Sequence, residues 1–130
     1  MNLTDGTTTI VLSDDLYWAD EHTWHPVEQT AERTITGALV VSVASRTGGR
    51  PITLESPDES SAWHARSVVE QLLNWASIPG KTLTLTLRGM PRTVMFRHHE
   101  SPAVDATPVV HYSDVQAGDP YTVSLKFLET

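Results

Sequence analysis

The sequence predicts a single strand-rich domain that contains one amphipathic α-helix. The length of 130 residues suits one hydrophobic core. Apolar and polar residues alternate in several short stretches, as they do in half-buried β-strands. One stretch, which ends before Pro79, instead repeats its apolar residues at helical spacings of three and four. We therefore expect one domain over residues 1–130.

The first half of the chain contains three predicted strands around an irregular segment. Residues 7–12 are rich in β-branched side chains and end at a turn. Residues 16–26 show no clear period. Apolar and polar residues alternate over residues 33–44, which predicts a long core strand. A turn over residues 45–49 and a short strand over residues 50–55 are predicted to follow it. The apolar parity of the long strand holds Ile35, Leu39, Val41 and Val43.

The predicted helix spans about residues 62–77. Serines and acidic residues over 56–61 resemble a helix N-terminus, where caps and negative charge are favourable. Pro79 and Gly80 then end the helix. The repeated apolar positions are Ala65, Val68, Val69, Leu72, Leu73 and Ala76.

The second half predicts a hairpin and a C-terminal strand. Leucine and threonine alternate over residues 81–88, and residues 93–98 return after a reversal at Gly89-Met90-Pro91. Residues 100–108 predict a loop or an extended edge, and residues 109–112 a short strand. Residues 121–128 alternate again, so the last strand should join the sheet.

Composition excludes several functions. The net charge of −7 and the pI of about 5.2 disfavour a partner bound through phosphates. With no cysteine, the chain has no disulfide, thiolate zinc site or cysteine nucleophile. Its apolar stretches are too short to span a bilayer, and no signal peptide is evident. We expect a soluble protein made in the cytoplasm, without membrane contact or sequence-specific nucleic-acid binding.

Histidines and carboxylates are the only credible catalytic side chains in this sequence. The densest cluster is Asp20, Glu21, His22 and His25, but Pro26 and the missing helical period disfavour a shared metal site. The adjacent His98 and His99 follow a strand, where neighbouring side chains point to opposite faces. No nucleophile elbow, phosphate loop or dinucleotide motif is present. The sequence therefore predicts no catalytic residue, metal or cofactor, and no enzyme.

Aromatic residues give the candidate interface. Trp63 and Trp75 lie on or near the helix and are interpreted as core or boundary packing. Trp and Tyr are enriched at protein interfaces, so the irregular segment could either fold back onto the sheet or contact a partner. The candidate interface residues are Tyr17, Trp18, Trp24 and Arg50.

The order of elements resembles the distal tail proteins of long-tailed bacteriophages and Mu-like prophages. The resemblance covers about residues 7–128 and rests on an acidic, Trp-containing segment, the phrase TGGRPITL at residues 47–54, the helix with VVEQLL at residues 68–73, and the Leu-Thr hairpin. It implies a β-sandwich or split barrel of about seven to eight strands flanked by one helix, and a six-fold ring at the distal end of the tail, in the virion. Such a ring joins the tail tube to hub or tip proteins around the DNA channel, with the tape measure protein as a further expected partner.

The acidic loops are candidate channel residues in such a ring. Acidic side chains lining the channel would repel passing DNA. The residues assigned to this role are Asp14, Asp15, Asp114 and Asp119.

Three alternatives remain open at this level. Another tail ring, either a tube subunit or a tail terminator, would share the sandwich-plus-helix plan. A ligand- or carbohydrate-binding β-sandwich would use Tyr17, Trp18 and Trp24 as a stacking platform. A hydrolase using one histidine and two carboxylates ranks last.

Overall fold

A computed structural model describes residues 1–46, 48–111 and 113–130. Over this part of the chain there are eleven β-strands, one α-helix and one short 3₁₀ helix, so the predicted mostly β domain with one helix is confirmed. The strands are β1 (Asn2–Thr4), β2 (Thr9–Val11), β3 (Tyr17–Trp18), β4 (Val27–Arg33), β5 (Leu39–Ser45), β6 (Arg50–Glu55), β7 (His64–Ala65), β8 (Thr82–Leu87), β9 (Met90–Phe96), β10 (Val104–Pro108) and β11 (Pro120–Glu129). The helix α1 is Arg66–Ala76, and the 3₁₀ helix is His98–Glu100.

Nine of these strands form one antiparallel sheet organised around β11. The order is β2-β1-β8-β9-β11-β6-β3, with β10 and β7 also paired to β11. On one side β11 pairs first with β10 and then with β9; on the other side it pairs with β7 and then with β6. The ten residues of β11 therefore connect four other strands.

The core follows the predicted alternation. The predicted inward residues of the strands over 50–55, 81–88, 93–98 and 121–128 are all buried. Helix α1 packs against β7, β10 and β11 and buries three side chains against the same core. The buried strand residues are Ile52, Leu54, Leu83, Leu85, Leu87, Val94, Phe96, Tyr121, Val123, Leu125 and Phe127, and those of the helix are Val69, Leu72 and Trp75.

The helix begins later than predicted. Residues 64–65 form β7 and pair with Pro120 and Tyr121, so this long-range pairing holds them in an extended conformation. The predicted capping residues form their own turn instead, in which the Asp58 carboxylate accepts hydrogen bonds from Ser60 and Ser61. Consequently α1 starts at Arg66 without a side-chain cap or an acidic first turn.

Three smaller predictions need correction. The first strand is shorter than residues 7–12 because Asp5 accepts backbone hydrogen bonds from Thr7 and Thr8 in a turn. The hairpin turns at Arg88 and Gly89, both with positive φ, so β9 already begins at Met90. The predicted strand over 109–112 is wrong for residues 109–111. The strand β10 lies earlier, within the segment predicted as a loop or extended edge. Tyr112 of this prediction, and Thr47 of the predicted turn over 45–49, lie outside the described residues.

The prediction of a long core strand over residues 33–44 is wrong. Arg33 ends β4, the chain reverses over residues 34–37, and β5 begins at Leu39. The two strands form a separate two-stranded sheet in which every residue is exposed. The alternation is real, but no part of the described chain covers its apolar side.

Candidate functional site

The separate hairpin is the most unusual surface of this chain; we call residues 27–45 the arm. Local hydrogen bonds define it: Thr34 N donates to Ala38 O at 2.8 Å, and Gly37 N donates to Thr34 O at 3.0 Å. Gly37 takes a φ of +87°, which a residue with a Cβ rarely adopts. At the base, Arg46 N donates to Pro26 O at 3.0 Å. The arm is thus a regular hairpin of two seven-residue strands, each about 23 Å long at roughly 3.3 Å per residue.

The two faces of the arm differ in chemistry. Opposed residues in the register share a face, so Ala31 lies beside Val41 and Glu32 beside Val40. One side, the apolar face, holds five apolar side chains together with Gln29, Arg33 and Ser45; the other, the acidic face, holds two glutamates among uncharged residues. The apolar side chains of the apolar face are Val27, Ala31, Leu39, Val41 and Val43, and the acidic face contains Glu28, Glu32, Thr30, Val40, Ser42 and Ala44.

Leaving this apolar face in water is unfavourable. Val41 is 44% exposed and Val43 is 64% exposed. A solitary two-stranded hairpin is only marginally stable in water, and free strand edges readily pair with other strands. Within the described residues the apolar face of the arm is therefore exposed and uncovered.

A tryptophan surrounded by arginines lies where the irregular segment meets the sheet. Trp18 in β3 is only 7% exposed. Guanidinium groups lie over its ring at 4.7 Å for Arg50, 5.3 Å for Arg92 and 5.7 Å for Arg88, and Arg50 also lies 5.8 Å from the ring of Trp24. Cation–π contacts of this length contribute about 0.5–2 kcal/mol each, depending on desolvation. The cluster fixes the irregular segment against the sheet.

The predicted interface residues therefore separate. The structure brings Trp18, Trp24 and Arg50 together but buries Trp18, so Trp18 belongs to the core and not to an exposed interface. Tyr17 points to the other side of β3 and is 57% exposed. Of the helix tryptophans, Trp75 is buried as predicted, whereas Trp63 remains half exposed.

The acidic residues near Trp18 hold the segment in place. Asp20 Oδ1 accepts hydrogen bonds from Trp18 Nε1 and Thr53 N, both at 2.9 Å. Glu21 pairs with Arg88, which lowers the pKa of the Glu21 carboxyl. His22 and His25 are exposed. Across residues 1–46, 48–111 and 113–130, no three His, Asp or Glu side chains are grouped so as to hold a metal ion.

The acidic loops that the sequence assigns to a channel share an anchor near β7, and Asp14 also pairs with the Met1 ammonium at 2.7 Å. The turn carrying Asp14 and Asp15 is attached through Ser13, whose N–H donates to His64 Nε2 at 3.0 Å. The loop over residues 113–119 leads directly into the β7–β11 pairing, and Arg66 N donates to Asp119 O at 2.9 Å. Both loops therefore connect to the short strand β7.

His64 makes this anchor sensitive to acid. Its Nδ1 lies 3.0 Å from Ala62 O, so Nδ1 donates and the neutral Nε2 accepts from Ser13. Burial lowers the pKa of His64 below its ordinary value of 6.5. A protonated imidazole would lose the acceptor that holds Ser13.

Acid should therefore weaken the fold first through His64. As the pH falls below about 6.5, the unfolded chain binds a proton that the folded chain resists, so the free energy of unfolding falls, by at most about 1.4 kcal/mol per pH unit. Below the folded pKa of His64 this loss of stability levels off.

Urea unfolding from pH 7.5 to 5 measures the loss, and His64→Gln should flatten the dependence of stability on pH. The other histidines are exposed, and the lowered pKa values of Asp5, Glu21 and Asp58 act only below about pH 4.5. An unchanged slope in His64→Gln would contradict this assignment.

Sequence reasoning missed the arm as a hairpin. One signal was present: Gly37 replaces an apolar side chain on the parity of Ile35 and Leu39, and glycine is favoured in turns. A scan against protein-family models and searches of curated proteins and of solved structures each found no match. No helix in the described residues has the length and apolar character needed to cross a membrane.

Proposed function

We propose that this chain is a structural subunit of a bacteriophage tail, which forms a ring at the distal end of the tail around the DNA channel. In this role it joins the tail tube to hub or tip proteins and carries out no reaction of its own. The observation that carries the proposal is the uncovered apolar face of the arm. The mostly β fold with one helix agrees with what the resemblance implies.

A second copy of the chain is the expected cover for the arm. The apolar face and the free edges of β4 and β5 offer burial and strand pairing together. If the arm packs on a different surface of the next copy, the contact is head-to-tail, and such contacts close into rings when the rotation is right. An arm about 23 Å long also extends well onto a neighbouring copy, whose radius of gyration is about 14 Å.

A second candidate is another ring of the same tail, either a tube subunit or a terminator. An arm that engages a neighbour suits stacked rings as well as a single one. The carbohydrate-binding alternative has less support, because the buried Trp18 cannot stack on a sugar.

Immunogold labelling of virions tests the tail position. An antibody against this chain should label one spot at the distal end of each tail. Labelling along the whole tail would favour a tube subunit, and labelling beside the head would favour a terminator. Particles that carry no label would overturn the proposal.

The acidic loops give the proposal a kinetic consequence. If Asp15 and Asp114 face the channel, their replacement by Lys would attract passing phosphates and slow genome ejection. Asp14 and Asp119 are left unchanged, because the Asp14 carboxylate pairs with the Met1 ammonium at 2.7 Å and that of Asp119 accepts a hydrogen bond from Gln116 N. Time courses of DNA release from variant and parent virions measure the effect. Unchanged kinetics would exclude a channel position for these loops.

A further inference from the structure

A pocket lined by arginine and tryptophan lies at the base of the arm; we call it the basic pocket. Its volume is about 190 Å³, and its lining includes Trp24, Arg46, Arg50, Arg92 and Glu129. The lining holds three guanidinium groups and one carboxylate, and the Glu28 carboxylate lies 3.7 Å from Arg46 beside it, so positive charge still exceeds negative charge here in a chain whose net charge is −7.

The arginines of the basic pocket are short of acceptors. Arg50 Nη2 donates to Glu21 O at 3.0 Å, and Arg92 Nη1 donates to Glu129 Oε2 at 3.1 Å. The Nε atoms of both side chains are buried without a hydrogen-bond partner among the described residues, so only their Nη atoms could meet an incoming carboxylate. A guanidinium carries five N–H donors and binds a carboxylate in bidentate fashion. The pocket therefore has the chemistry to accept a further carboxylate.

A second pocket has the opposite character; we call it the acidic pocket. It has a volume of about 290 Å³ and four carboxylates in its lining, with no Lys or Arg. The carboxylates belong to Glu55, Asp58, Glu59 and Asp105.

Strand β11 separates the two pockets. Residues 122–124 line the acidic pocket, and Glu129 lines the basic pocket. At roughly 3.3 Å per residue the two lie about 20 Å apart along the strand. One molecule therefore cannot bring its own pockets together, whereas two copies placed head-to-tail can.

A protein partner fits the basic pocket better than a nucleic acid does. Binding of a phosphate backbone needs a stripe of Lys and Arg. Here Glu28 lies 3.7 Å from Arg46, Glu129 lines the pocket, and Glu21 lies nearby. These acids would repel a polyanion but tolerate one carboxylate in a peptide.

We propose that the basic pocket receives carboxylates from the acidic pocket of a second copy, so that copies associate head-to-tail through opposite charges. The inference rests on the proposed assembly of this chain and identifies one of its contacts. The arm supplies apolar burial in that assembly, and the two pockets orient neighbouring copies.

Charge reversal in one pocket at a time tests this contact. Arg46→Glu and Glu59→Lys each place like charges opposite one another, so each should raise the dissociation constant of the assembly at least about tenfold. Both side chains are exposed, so the fold should be retained. Controls with equal charge changes outside both pockets are Lys81→Glu and Asp15→Lys, which should assemble like the parent. Sedimentation velocity over a concentration series measures all four, and about 1 M NaCl should weaken the parent through screening.

Mixing the two variants gives the sharpest result. In an equimolar mixture each reversed pocket meets the complementary reversed pocket of the other variant, so alternating assembly should return. A mixture that remains dissociated, or single variants that assemble like the parent, would overturn the proposal. Rescue of Arg46→Glu by Glu32→Lys instead would place the acidic face of the arm in the pocket and also overturn it. The proposal would also be overturned if the parent chain binds duplex DNA and Arg46→Glu abolishes that binding.

The outcome separates this contact from the proposed ring. If pocket variants assemble normally while substitutions on the apolar face of the arm dissociate the complex, only the pocket inference fails. If the parent chain remains monomeric at every concentration, both fail.

Discussion

Replacing Val41 and Val43 with lysine should abolish assembly while leaving the single chain folded. Both side chains lie on the apolar face of the arm and are largely exposed within one copy. In an assembly they would be buried, where unpaired ammonium groups are strongly unfavourable. The free energy of unfolding should change by no more than about 0.5 kcal/mol, as is usual for exposed positions. Sedimentation velocity and urea unfolding of the double variant measure the two effects.

The same strand supplies a matched control. Ser42 and Ala44 lie on the acidic face of β5, so Ser42→Lys with Ala44→Lys adds the same charge to the opposite side. This control should keep its assembly. An assembly that survives Val41→Lys with Val43→Lys would show that the apolar face is not an interface.

Phe127→Ala should destabilise the fold more than most substitutions in this chain. Phe127 is fully buried, lies opposite Ile52 and Phe96 in the sheet, and packs against Phe96 with ring centroids 5.1 Å apart and the rings tilted by 35°. Truncation of a buried phenylalanine costs about 3–5 kcal/mol, against a total stability of about 5–15 kcal/mol for a domain. Urea unfolding monitored by tryptophan fluorescence measures the loss.

Two controls define the cause of that loss. Phe127→Leu keeps most of the volume and should cost less than about 1.5 kcal/mol. Val11→Ala removes an exposed side chain from the edge strand β2 and should change stability by less than about 0.5 kcal/mol. A loss below about 1 kcal/mol for Phe127→Ala would contradict a core centred on β11.

The strands that sequence reasoning located are those whose apolar side faces the core of the same chain. In β8 and β11, each leucine, valine or aromatic residue on one parity is buried, so alternation and burial agree. The helix was found because its apolar residues repeat at spacings of three and four, and two of them, Val69 and Leu72, are buried against the core. Its start was missed because the β7–β11 pairing, a contact between distant segments, overrides local capping signals.

The arm shows why alternation alone misleads. The pattern of Leu39, Val41 and Val43 correctly indicates an apolar side, but it contains no information on which chain covers that side. The environment of Trp18 was equally inaccessible, because its three arginines come from residues 50, 88 and 92 and meet only in the fold. The partners of nearby Asp20 and Glu21, which are Thr53 and Arg88, were inaccessible for the same reason.

Native mass spectrometry of the purified chain tests the central claim most directly. The proposed ring predicts a closed species with six times the 14.3 kDa mass of one chain. The arm variant Val41→Lys with Val43→Lys should give only the single-chain mass. A parent chain that remains at 14.3 kDa at concentrations of tens of micromolar, well above those at which specific interfaces form, would contradict the account.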